Sequence, residues 1–116
     1  TNTPLQALAM LNDPLVLEAS RVMASRLIGE DKDAEQAVQE AFARIICRAP
    51  SEEELHLLVE YYREELKRFR KAPEKILETV QKGESPLGPE ADKPETAALM
   101  QVVVAIYNVE EAITKT

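Results

Sequence analysis

Helix-start signatures recur along this chain of 116 residues, and each is followed by apolar residues at helical spacing. Thr3-Pro4-Leu5-Gln6 reads as an N-cap Thr, a proline at the first helical position, and a Gln placed to reach back to the cap. Asp13-Pro14 repeats the cap and the proline. Asp33 with Gln36, and Ser51 with Glu54, have the spacing of a capping box, in which two residues satisfy each other's free backbone donors. The first turn of every helix leaves its N–H groups without helical partners, so these residues mark where helices begin. A chain punctuated in this way folds as an array of helices. The composition agrees: 3 Gly and no Trp, with 45% hydrophobic and 30% charged residues.

The spacing predicts helices over Pro4 to Leu11, Pro14 to Ile28, a third capped by Asp33 and ended by Arg48-Ala49-Pro50, then Glu52 to Arg70, Pro73 to about Gln81, and Glu95 to Ile113. Gly29 is expected to end the second in a left-handed C′ conformation. Val16, Ala19, Met23 and Leu27 are expected to share its buried face. In the third, Ala34, Ala37, Val38, Ala41, Phe42, Ile45 and Ile46 form one stripe; in the fourth, Leu55, Leu58, Val59, Tyr62, Leu66 and Phe69 do the same. The short connection through Arg48-Ala49-Pro50 makes these two a central antiparallel hairpin. Residues 83–94 hold two Gly and three Pro and read as a loop. The last helix presents Leu99, Val102, Val103, Ile106 and Tyr107. Its valines leave a buried strand over Met100 to Tyr107 as the alternative. The expected fold is all-α, five or six helices in one domain spanning residues 1–116.

Charge and residue types narrow the chemistry. A net charge of -7 and a pI near 4.8 disfavour nucleic acid, which needs a phosphate-neutralising surface. No apolar run approaches the length of a membrane span, so no membrane insertion is expected. Glu52, His56 and Glu60 line one helical face, and Glu53 to His56 has E-x-x-H spacing. A di-iron site needs a second such pair, and the chain has 1 His, so a solvated acidic face is the expectation and no metal or cofactor is assigned. Cys47 is expected to pack at the core margin, and Ser51 to serve as a cap, leaving no catalytic residue. Tyr61, Tyr62, Phe69 and Tyr107 read as core or rim aromatics. Arg63, Lys67, Arg68, Arg70 and Lys71 alternate with Glu60, Glu64 and Glu65, which reads as a salt-bridged face.

The segment Pro4 to Leu11 is apolar on nearly all sides and lies at the start of the chain. A helix of that kind must be surrounded. Leu5, Leu8, Met10 and Leu11 are therefore expected to form an interface, with part of the last helix, to preceding domains of a longer parent chain. In the isolated chain the same residues would present an apolar patch or a homodimer contact.

Thr3 to Pro14, reading TPLQALAMLNDP, resembles the T-P-L-Q-A-L-x-x-L-N-D segment of a planctomycete cytochrome-c-associated domain of unknown function. Arg48 to Leu55 resembles that family's R-x-P-[ST]-x-x-E-L, and Asn108-Val109-Glu110-Glu111 its C-terminal N-x-x-E-F, with Ala112 in place of Phe. The resemblance implies the C-terminal part of a domain found in large exported multidomain proteins, hence a periplasmic or extracytoplasmic location, and supplies no catalytic residues. The expected function is a non-catalytic helical module packing against upstream domains. The alternative is a site shared with the missing region, to which Asn12, Asp13 or Arg48 contribute from helix ends.

Overall fold

In the computed structural model the described residues are 14–80 and 93–115, with side chains described as far as Val109. They form α1 (Pro14–Gly29), α2 (Ala34–Ile46), α3 (Glu52–Lys71), α4 (Glu74–Val80) and α5 (Pro94–Lys115), with no strand among them. The segment Pro4 to Leu11 lies outside the described residues. So do its cap residues Thr3 and Gln6, its interface residues Leu5, Leu8, Met10 and Leu11, the cap Asp13, and nearly all of the 83–94 loop.

Both described capping boxes form. Asp33 accepts from the Gln36 N–H at 2.8 Å while the Gln36 side chain accepts from the Asp33 N–H at 3.3 Å. Ser51 and Glu54 reciprocate at 3.1 and 2.8 Å. Each box fixes where its helix starts, and hence which side chains face inward one and two turns later. Ala37, Val38, Ala41 and Phe42 of α2 are buried, as are Leu58, Val59, Tyr62 and Phe69 of α3. Ala34, Ile45, Ile46, Leu55 and Leu66 pack partly buried against them. The two helices contact each other across their short connection as a hairpin.

α5 is the element on which every other helix packs. Thr96 to Met100 and Val102 to Ile106 are buried in near-continuous sequence, so the helix is enclosed on all sides rather than along one stripe. That enclosure accounts for helix over the valine run: burying a Val, Leu or Ile side chain contributes roughly 1.5–3 kcal/mol, whereas β-preference spans about 1 kcal/mol. Small residues at Thr96, Ala97, Ala98 and Ala105 let neighbours approach. Asn108 is buried too, its Nδ2 donating to the Val104 carbonyl at 2.9 Å.

α1 differs from expectation in two ways. Its buried residues are Ser20, Arg21, Ala24 and Leu27, while Val16 and Met23 are half-buried and Ala19 is exposed. The inward face is therefore rotated from the one expected, because apolar residues occupy most of the circumference of this helix and the pattern alone does not select a side. Gly29 also stays within the helix. The chain reverses at Asp31, whose φ of 59° is left-handed, a conformation that Asp tolerates better than most residues. Cys47 does the same at the end of α2, with φ 67° and its N–H donating to the Ala43 carbonyl at 2.9 Å. This cap turns Cys47 outward: it is exposed, not at the core margin.

Candidate interaction surface

The joint between α2 and α3 accounts for the Arg48 to Leu55 motif. Arg48 forks onto Glu54, with both N–H···O contacts at 2.9 Å, and donates to the Ala49 carbonyl at 3.1 Å. Its guanidinium also lies 5.1 Å from the centre of the Phe42 ring. Glu54 therefore serves the capping box and an ion pair together. The Arg48 hydrogen bonds, then the Ser51 N–H, hold its carboxyl at about 2. Cys47 caps the end of one helix, Ser51 caps the start of the next, and Arg48 in the connection ties to Glu54. Arg48, Ser51, Glu54 and the core-packed Leu55 of the motif thus have a structural use.

A second tie lies at the start of α2. Lys32 sits 3.1 Å from Glu40, and Arg44 closes on the same carboxylate at 2.5 Å. Chiefly the Lys32 contact lowers the Glu40 pKa. Such exposed networks fix loop direction more than they stabilise.

The remaining candidate groups do not converge. His56 is exposed beside Glu52 and Arg63 in a shallow depression, and no group of three potential metal ligands exists among the described residues. Tyr62 is buried and Tyr61 half-buried, and burial first, then Glu65, pushes the Tyr61 phenol up to about 12. Of the basic cluster, Arg68 pairs with Glu65 one turn back at 2.7 Å, and Arg70 reaches across to Glu95 of α5 at 3.5 Å. The face is thus partly salt-bridged, with i,i+3 and interhelical partners instead of i,i+4. A polar depression lies where the α1–α2 turn meets the start of α5, lined by Asp31, Lys32, Asp33, Tyr62, Lys93 and Glu95, with charges of both signs interleaved.

α1 carries the apolar surface. Leu15 is 77% exposed and Val22 42%. They line a groove of ≈ 370 Å³ with Ala19, Met23 and Tyr107, rimmed by Glu18, Arg26 and Arg44. Apolar floor and charged rim suit an apolar helical segment with polar flanks. The groove faces outward while Ala24 and Leu27 of the same helix are fully buried, so α1 is apolar on two sides and covered on one. The signal was present in the sequence: apolar residues at 15, 16, 17, 19, 22, 23, 24, 27 and 28 occupy most of the helix circumference, broken only by the narrow sector of Arg21, Ser25 and Glu18.

Sequence reasoning missed the buried polar residues Ser20, Arg21, Thr96 and Asn108. Only Asn108, as part of the Asn108 to Glu111 match, carried any signal. Arg21 is 2% exposed and sits among apolar residues in sequence, where nothing distinguishes it from the exposed Arg26.

Among the described residues no helix is long and apolar enough to cross a membrane. None of the curated proteins and none of the solved structures compared with the chain matches it. One family model does match, described as PSD1, a protein of unknown function (DUF1553), over residues 1–62. The matched region holds the Thr3 to Pro14 and Arg48 to Leu55 segments and stops before Asn108. Covering more than half of the 116 residues, the match shows that the chain belongs to the PSD1 (DUF1553) family of proteins of unknown function.

Proposed function

We propose that this chain is a non-catalytic helical association module of a larger exported protein, docking against the domains that precede it. The observation that carries the reading is the second apolar side of α1, with Leu15 and Val22 outward while the inward side completes the core. Leu5, Leu8, Met10 and Leu11 extend the same apolar character upstream in sequence and are assigned to the preceding domains. The extracytoplasmic setting and the cytochrome-c-like neighbour rest on the resemblance of the three sequence segments.

The alternative, a site shared with the preceding region, draws on Asn12, Asp13 and Arg48. Arg48 already engages Glu54 through both terminal guanidinium nitrogens, so its use elsewhere would have to break the α2–α3 joint. That observation favours the docking reading. Calorimetric titration of this chain into the preceding region of its parent separates the two. Docking gives binding with a negative heat-capacity change, and activity or a haem signal appearing only on mixing supports the shared site. A folded chain that does not bind removes the docking reading.

A further inference from the structure

We infer that the segment of the preceding domains seated on α1 is an apolar helix with an acidic edge, its carboxylates received by Arg26 and Arg44. The inference rests on the docking reading of α1 and names the chemistry of the partner that reading leaves open. At 100° per residue, Leu15, Ala19, Val22 and Arg26 fall within about 60° of one another, so the outward apolar stripe runs straight into the Arg26 side chain. All four residues are exposed. At 1.5 Å per residue, Leu15 and Val22 stand about 10 Å apart along the axis, with Arg26 about 6 Å further on. A helix that matches this spacing carries apolar side chains over two turns and a carboxylate one turn beyond the side chain that meets Val22.

The sign of the partner follows from the charges on the groove rim. Glu18, the carboxylate among the lining residues, is already engaged within the chain. Arg26 meets no carboxylate at ion-pair distance among the described residues. Arg44 borders the same groove from α2 and lies 2.5 Å from Glu40, which it shares with Lys32 at 3.1 Å. A guanidinium carries five N–H donors, and the Arg44 side chain stays 45% exposed beside Glu40, so it retains donors for a second carboxylate. An arriving segment therefore meets two cations beside an apolar floor, on a chain whose net charge is -7. Elsewhere the acidic surface repels carboxylates, so this rim fixes where an acidic-edged helix lands, while the apolar stripe supplies the affinity.

Calorimetric titration of the 116-residue chain into the preceding region of its parent, over roughly 50 to 500 mM sodium chloride, tests this. Affinity is expected to fall as salt rises. Arg26→Gln and Arg44→Gln each weaken binding about fivefold or more at low salt and flatten the salt dependence. Arg26→Glu weakens it further, and exchanging the facing carboxylate of the preceding region for Lys restores that variant. Arg63→Gln removes the same charge from α3, away from the groove, and leaves the affinity unchanged. Circular dichroism of each variant confirms that the helices are retained. Binding that is indifferent to salt and to Arg26→Gln overturns the acidic partner and leaves the docking function standing. So does a loss with Arg63→Gln as large as that with Arg26→Gln, which would make the effect one of net charge. A folded chain that binds nothing removes both readings.

Discussion

Replacing Glu54 by Gln removes the charge at the α2–α3 joint while keeping a side-chain oxygen for the Ser51 N–H. The carboxyl falls from 4.5 to about 2 in the folded chain. Transmitted fully to folding, that shift would correspond to about 3 kcal/mol. Glu54 is 34% exposed, and screening by water and salt reduces the contribution to about 1 kcal/mol. The sign follows from the depressed folded-state value. The stabilisation is complete above 4.5, the unfolded value, and is lost as pH falls through about 2. Urea unfolding followed by circular dichroism should therefore give Glu54→Gln a lower midpoint than the parent chain at neutral pH, with the gap closing between those two pH values. The gap should also shrink in high salt. Using the difference between the two chains cancels the acid sensitivity of the other carboxylates. A gap that stays constant down to pH 2 would place the effect in packing and refute the ion-pair account; no gap at neutral pH would refute the joint itself.

Other consequences follow from burial and backbone geometry. Ile106→Ala, at a fully buried position of α5, should cost about 2–5 kcal/mol in urea unfolding, whereas Leu15→Ala should stay within about 0.5 kcal/mol. Equal costs would contradict the assignment of α5 to the core and of Leu15 to the surface. Cys47→Gly should raise the thermal midpoint, because glycine adopts the left-handed C-cap without a Cβ penalty; the gain is about 0.5–1 kcal/mol. Ultraviolet titration of the phenols should find Tyr61 ionising near 12. Its raised folded value contributes stability below pH 10 that is lost as pH rises toward 12.

The helices legible in the sequence were those with one apolar stripe and a two-residue cap. In α2 and α3 the Asp33/Gln36 and Ser51/Glu54 pairs set the start, and the stripe through Val38, Phe42, Leu58 and Tyr62 then had only one side to face. α1 and α5 were legible as helices but not in orientation, since a helix apolar over most of its circumference gives little contrast between sides. For α5 this reflects its enclosure by the other helices. For α1 it meant an inward face rotated from the one expected and an outward groove that sequence reasoning did not single out. The chain reversals depart from the sequence pattern for a related reason: Gly29 reads as the stop, yet Asp31 and Cys47 hold the left-handed positions, supported by backbone hydrogen bonds that composition does not reveal. The Arg48–Glu54 fork was half visible, as a capping box without its cation.

The most direct test of α1 as a contact surface is the heat-capacity change of association, measured for the parent chain and for Val22→Asp against the preceding domains. The account predicts a negative change for the parent chain, from apolar area leaving water. It also predicts binding at least about tenfold weaker for Val22→Asp, with an unfolding free energy within about 0.5 kcal/mol of the parent, because Val22 faces outward. Association of equal strength in both chains would contradict it, as would Val22→Asp unfolding the chain.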